Sequence, residues 1–231
     1  MRVRPTPLAS TFLAVVLIVG GCSGGDGGSK GAADVKGSEL VGLFGIVPAA
    51  CSTDAVTGSW FRMVQPGGTT KDGPYLKNGD STCIDQEVTP LAPGTDGGLR
   101  TGAYQPLADP AFDAGGNTTA LAVITSTKFF AVGFGISTTE KDPQSGKDVP
   151  SPSIGDEGGE LNGDLSAISV SWNGQHFNQG APRPGGGGSA VTGTYDADTG
   201  AYRLDWTSLI KGGPFDGFTG IWHFEGTFTS S

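Results

Sequence analysis

His176 and His223 are the two imidazoles of this 231-residue chain, so they bound the acid–base and metal chemistry available to it. A zinc site built on histidine shows tight HxxxH or HxxE spacing, and neither residue has such a neighbour. No metal site is expected, and each histidine reads first as a structural or interfacial one, although the two could converge in space. Nucleophilic catalysis fares no better. Residues 27–31, GGSKG, fit the GxSxG pattern, but that motif needs a strand before it and a helix after it to strain the serine outward. No catalytic residue is assigned.

The patch with most binding chemistry is WNGQHFNQG, residues 172–180. Amides that both donate and accept, beside an aromatic face, suit the hydroxyls and CH faces of a neutral sugar. The candidate ligand-binding residues are Trp172, Asn173, Gln175, His176 and Asn178, with Trp222 and His223 from the terminal aromatic segment. The competing reading is a polar loop whose amides satisfy its own turns. A glycosidase would need two carboxylates about 5–10 Å apart across a cleft; Asp205, Asp216 and Glu225 are the candidates. Two acidic groups invite a calcium reading: Asp196, Asp198 and Gly200, and the cluster Asp156, Glu157, Glu160 and Asp164. The first lacks the third short-spaced oxygen ligand and the distal Glu of an EF-hand loop, so a turn explains it with less; the second reads as a solvated loop. No cofactor is expected.

The elements that must position these residues are strands. Residues 40–47, 59–64, 120–126 and 129–137 are short apolar runs rich in Val, Ile and Phe, the last two joined by Thr127-Lys128. In residues 129–137 glycines alternate with Val132, Phe134 and Ile136, which predicts close approach of another backbone or a bend. Residues 167–172 alternate apolar and serine. Residues 191–195 and 202–206 flank DADTG, a hairpin connection, and residues 221–228 form the terminal strand. Residues 66–119 are mostly irregular, pinned by Tyr75, Ile84, Leu91, Tyr104 and Phe112, and residues 138–165 read as a polar surface excursion. About eight to ten strands without helical crossovers predict an all-β, mainly antiparallel sandwich or barrel-like domain.

Net charge is −9, with 23 acids against 14 bases. An acidic surface excludes the phosphate neutralisation that drives nucleic-acid binding, so no nucleic-acid partner is expected. Of three cysteines, Cys51 and Cys83 lack CxxC or Cys/His spacing; in an exported chain their default is a structural disulfide, with a functional thiol as the alternative.

The N-terminus sets the compartment. Arg2 and Arg4 precede an apolar run over residues 8–19, and Gly20-Gly21-Cys22 follows, giving a charged region, a short apolar core and a small-residue cleavage site. That core is too short to span about 30 Å of hydrocarbon. The segment resembles the lipobox of bacterial lipoproteins, which implies cleavage before Cys22 and attachment of a diacylglyceryl group to its thiol. The domains expected are a signal peptide at 1–21, the lipidated Cys22 with a Gly/Ser-rich tether through 38, and a β-rich domain over 39–231. The blocks GTYDADTGAYRLDW and GGPFDGFTGIWHFEGTF, with WFRMVQPGG, GLRTGAYQP and WNGQHFNQG, resemble uncharacterised exported β-rich proteins that include actinobacterial lipoproteins. The resemblance implies an exported β-domain and no particular chemistry. TGTY before a hairpin also resembles avidin-type ligand-binding barrels. The expectation is a module on the outer face of the bacterial cytoplasmic membrane, anchored through Cys22, binding a ligand or partner such as a cell-envelope glycan or protein. The alternatives are a glycan-active hydrolase using a carboxylate pair and a structural envelope protein without ligand.

Overall fold

A computed structural model describes residues 33–53 and 55–231. Cys22, the expected signal at 1–21 and most of the expected tether lie outside them. The described chain is all-β, with antiparallel sheets and one 3-10 turn at Gly213–Phe215.

The larger sheet runs in the order Ser38–Glu39, Ser153–Glu157, Glu160–Asp164, Thr192–Tyr195, Ala201–Leu209, Thr219–Ser230, Gly42–Ile46, Gly98–Arg100. Ser38–Glu39 leads directly into Gly42–Ile46, near the other end of that order. One short stretch therefore pairs with Ser153–Glu157 and then with the terminal strand, curling the sheet into a barrel-like form. The terminal strand is the common neighbour. Along one edge it pairs with Ala201–Leu209; along the other it pairs first with Trp60–Thr69 and then with Gly42–Ile46. Where it changes partner, a Cβ on Gly226 would collide with the carbonyl oxygen of Gly45, so only glycine allows the approach.

The second sheet, ordered Gln175–Asn178, Ile168–Trp172, Val132–Thr138, Thr127–Phe129, packs Phe134, Val170, Trp172 and Phe177 against the large sheet's core. Rings carry that interface. Phe61 meets Phe129 at 5.8 Å and Phe134 at 5.9 Å across it, and Phe134 lies 6.5 Å from Trp222. Such pairs add roughly 0.5–1.5 kcal/mol each beyond the area they bury. The expected close approach is present, because a Cβ on Gly135 would meet the Ala120 carbonyl.

Several expectations are corrected. Residues 138–165 are not wholly a surface excursion: Ser153–Glu157 and Glu160–Asp164 form a hairpin inside the large sheet. Its charged and glycine residues hid a two-residue period carried by Ile154 and Leu161, both buried. Ala120, Val123 and Ile124 are buried, but residues 120–126 form no strand ladder; the carbonyls of Leu121, Ala122 and Val123 instead accept the N–H groups of Thr95, Asp96 and Gly94. The hairpin turn falls at Phe130-Ala131, both left-handed (φ 51° and 64°). That costs non-glycine residues roughly 1–2 kcal/mol each, and Asp80 Oδ2 braces the turn by accepting the Ala131 N–H at 2.6 Å. Ile84 pins nothing, being 79% exposed. The end of the tether is docked rather than free: Lys36 N–H donates to Asn162 Oδ1 at 2.7 Å and Ala33 N–H to Asp164 Oδ2 at 2.7 Å.

Strand edges are closed by amide side chains that imitate a peptide group. Gln144 accepts the Asn178 N–H and donates to the His176 carbonyl, both at 2.8 Å. Gln105 does the same for Arg100 and Gly98, both at 2.9 Å. Each satisfies ladder groups that would otherwise recruit another strand. Cys51 and Cys83 are joined as a disulfide, with their Cα atoms 5.3 Å apart.

Candidate functional site

Aromatic rings are rigid, and where the two sheets meet they leave a cavity of about 40 Å³. Phe61, Met63 and Trp222 form the wall from the large sheet, facing Phe134, Val170, Trp172 and Phe177 across the gap. Gln179 is the one amide in the lining, and its groups are already used. Its Oε1 accepts from Trp222 Nε1 at 3.2 Å, its Nε2 donates to the Asn178 carbonyl at 2.8 Å, and its own carbonyl accepts from Trp206 Nε1 at 2.8 Å. A cavity without free polar groups stays dry.

The rim is Phe215, carried by the 3-10 turn Gly213–Phe215. Its ring meets Phe129, Phe130 and Trp172 at 5.6, 5.7 and 5.4 Å. Asp216 Oδ1 holds the turn by accepting the Gly212 N–H at 2.7 Å, and Gly217 N–H donates to the Ile210 carbonyl at 3.0 Å. Phe130, 46% exposed, carries the apolar surface from the rim to solvent.

The candidate binding residues are divided among separate places. Trp172 and Trp222 line the cavity, and the Trp172 Nε1–H donates to the Phe129 carbonyl at 2.8 Å. Asn173 occupies a left-handed turn position before Gly174 (φ 48° and 71°), the geometry of a two-residue hairpin. Gln175 is exposed, beside Gly213. His176 Nδ1 is paired with Ser171 Oγ at 2.8 Å, and its ring lies against Phe112. Burial pulls its pKa down, so this imidazole is neutral at neutral pH. Asn178 is buried, with its amide spent on the Ser166 carbonyl at 2.7 Å and the Gly180 N–H at 2.9 Å. His223 points to the opposite face from Trp222, as strand alternation requires. The two histidines share no contact partner: His223 meets Asp205, Glu225 and Trp60.

Of the acids, Asp205 and Glu225 come together and Asp216 stays at the rim turn. His223 Nδ1 lies 2.7 Å from Asp205 Oδ1, and its Nε2 lies 3.4 Å from Glu225 Oε2. Register explains this: Asp205 is directly opposite His223, and Trp60 is opposite on the other side. Both ring nitrogens facing carboxylates calls for two N–H donors, which only the imidazolium has. Burial works against that charge, but Asp205 and Glu225 together outweigh it and raise the pKa of His223. Glu225 moves the other way. Burial pushes its pKa up, but the Gly58 N–H, His223 and Arg203 bring it below the ordinary value. A glycosidase's general acid needs the opposite shift. Nor does Trp60 lie open as a sugar platform, since the His223 ring stacks on it at 5.2 Å and the Arg62 guanidinium lies 5.7 Å from its centroid.

Three acids of the two calcium candidates serve the backbone. Asp196 Oδ1 accepts from Asp198 and Thr199 N–H, Asp156 from Gly159, and Asp164 from Ser166 and Ala33. Among the described residues no group of three or more His, Cys, Asp or Glu is placed to hold a metal. Sequence reasoning missed Phe61, Phe134, Gln179 and Phe215 as site residues. The clue was the phenylalanine in the glycine-flanked GGPFDG, too large and apolar for an ordinary exposed turn.

The His223 cluster makes a pH signature. A raised histidine pKa contributes stability that is complete below about 6.5, the unfolded value, and is lost as pH rises through the folded value. The lowered Glu225 contributes above its unfolded value and fails only in acid. Chemical denaturation of the wild type and of His223→Gln across pH is expected to give the largest difference in mildly acidic solution, shrinking as the solution becomes alkaline. A difference that stays flat, or grows with pH, contradicts the imidazolium clamp.

Comparison with known proteins found no matching family model, no matching curated protein and no matching solved structure.

Proposed function

We propose that this chain is an extracytoplasmic binding module, tethered to the outer face of the bacterial cytoplasmic membrane through Cys22, that takes the hydrocarbon part of an apolar ligand between its two sheets. The carrying observation is the cavity: apolar, without a free hydrogen-bonding group, and rimmed by Phe215 beside the exposed Phe130. Drug-sized sites run to about 300–1,000 Å³, so a space of about 40 Å³ suits the end of a chain rather than a whole bulky molecule. Each methylene buried contributes about 0.8 kcal/mol.

The location rests on the apolar run ending in Gly20-Gly21-Cys22 and on the Cys51–Cys83 pair in disulfide range, which suits an oxidising compartment. Two acyl chains on one thiol give stable anchoring where one gives only reversible binding. The membrane is then a partner through the lipid alone, since an acidic chain gains nothing from anionic headgroups. In the native host, Cys22→Ser is expected to move the protein from the membrane fraction to the soluble one. Unchanged membrane retention would contradict the anchor.

Trp172 and Trp222 line the cavity and report on its contents. Titration with 1-decanol is expected to change tryptophan emission saturably. Val170→Leu, which places one more carbon in the void, is expected to weaken that binding several-fold and to stabilise the fold by up to about 0.8 kcal/mol. An emission spectrum indifferent to decanol would remove the reading.

A further inference from the structure

Arg62 stands on the outward face of Trp60–Thr69, between Phe61 and Met63, which line the cavity on the inward face. A guanidinium carries five N–H donors and a permanent charge. Among the described residues, those of Arg62 make no hydrogen bond to the protein and no ion pair with a carboxylate. Its Nε is buried without a partner, and of its three nitrogens only Nε is shut off from solvent. A half-buried cation without an acceptor is costly to keep, and here its two Nη atoms remain open.

Two fixed rings flank it. The Arg62 Cζ lies 4.3 Å from the centroid of the Tyr75 ring and 5.7 Å from that of Trp60. Strand geometry explains the placing: Trp60 precedes Arg62 by two residues, and Tyr75 is opposite Val64, two residues after it. The Tyr75 hydroxyl lies 3.0 Å from the Thr70 carbonyl and 2.7 Å from that of Lys71, and the Trp60 ring is stacked on His223. Rings held in this way occupy the faces of the guanidinium and leave its Nη edge free. Val64 and Val88, the latter directly opposite Arg62, are buried on the same face. Asp205 and Glu225 share that face but are engaged by His223 and Arg203.

We propose that Arg62 is the anchor of an anion-binding site between Trp60 and Tyr75, and that its ligand is a flat carboxylate received edge-on by the two Nη atoms. A carboxylate matches that fork bidentately, and a guanidinium stacked on aromatic rings loses little freedom when it binds. Rings on both sides favour a planar anion over a tetrahedral one. The net charge of −9 repels anions at long range, so recognition depends on this local cation. The site is separate from the cavity, because alternation along the strand turns Arg62 away from Phe61 and Met63. Either site can fail without the other.

The test titrates the full chain with sodium benzoate, neutral benzamide and sodium phosphate at neutral pH and low salt, by calorimetry and by NMR of the arginine Nε–H and tryptophan indole N–H signals. Benzoate is expected to bind at least roughly tenfold more tightly than benzamide, with its largest shifts at Arg62 Nε–H and the Trp60 indole. Arg62→Met is expected to abolish that preference, and Arg62→Lys, a point charge without the planar fork, to recover only a small part of it. Binding of 1-decanol to Arg62→Met is expected to match the wild type, which also shows that the variant is folded. If Arg62→Met does not fold, the wild-type preference and the location of the shifts decide. Equal binding of benzoate and benzamide, shifts centred away from Arg62 and Trp60, or a benzoate preference that survives Arg62→Met overturns the site. Phosphate binding more tightly than benzoate overturns the flat carboxylate as its ligand.

Discussion

Everything in this molecule hangs on the hydrogen bonding of Thr219–Ser230 along both edges. One edge is given to Ala201–Leu209, and the other is shared between Trp60–Thr69 and Gly42–Ile46. The strand's inward residues, Trp222 and Phe224, are buried in the core, and Trp222 is a wall of the cavity. Its outward residues, His223 and Glu225, make the charged cluster with Asp205 and Arg203. A period of two therefore places the apolar site and the imidazolium clamp on opposite faces of one strand. Because residues near both ends of the domain meet there, the pairing is non-local, and its loop-closure entropy is offset only when the whole sheet assembles.

The void between the sheets follows from the same arrangement. Flat rings from Phe61, Phe129, Phe134, Trp172 and Trp222 meet edge-on or tilted, and such shapes interlock less completely than branched aliphatic chains. Polar groups nearby are consumed internally: both indole N–H groups of Trp206 and Trp222 end on Gln179. Gln105 and Gln144 close strand edges with their side chains. Among the described residues, the buried side-chain atoms left without a partner belong to Arg62, Asp142 and Arg183 and to Ser137, Ser166, Ser169 and Ser208.

Much of the fold was legible because its strands announce themselves by alternation. The strands expected over 202–206 and 221–228 show Tyr, Leu and Trp, or Trp and Phe, at every second position, and the structure extends them to Ala201–Leu209 and Thr219–Ser230 and pairs them. The hairpin Ser153–Glu157 with Glu160–Asp164 was lost because two buried side chains, Ile154 and Leu161, had to outweigh four acids and four glycines. The Phe130-Ala131 turn carries no glycine or asparagine to mark it; the signal lies 51 residues from Ala131, in Asp80.

The site was harder to read, for a related reason. Residue types showed that Trp172, Asn178, His223, Asp205 and Glu225 could bind something, but not which face each would take or what would already occupy it. Strand register decides the first and hydrogen-bond partners the second. Asn178 looked like a sugar-reading amide and instead holds Ser166 and Gly180 in place. The Asp205–His223–Glu225 cluster is invisible until the register sets Asp205 opposite His223.

Native-state hydrogen exchange followed by NMR puts the central strand to the most direct trial. If Thr219–Ser230 holds the molecule together, the amides of residues 220–227 exchange only through global unfolding and rank among the slowest in the protein. Amides of that strand exchanging as fast as those of the short outer segments Gly98–Arg100 or Gly73–Tyr75 would contradict the account.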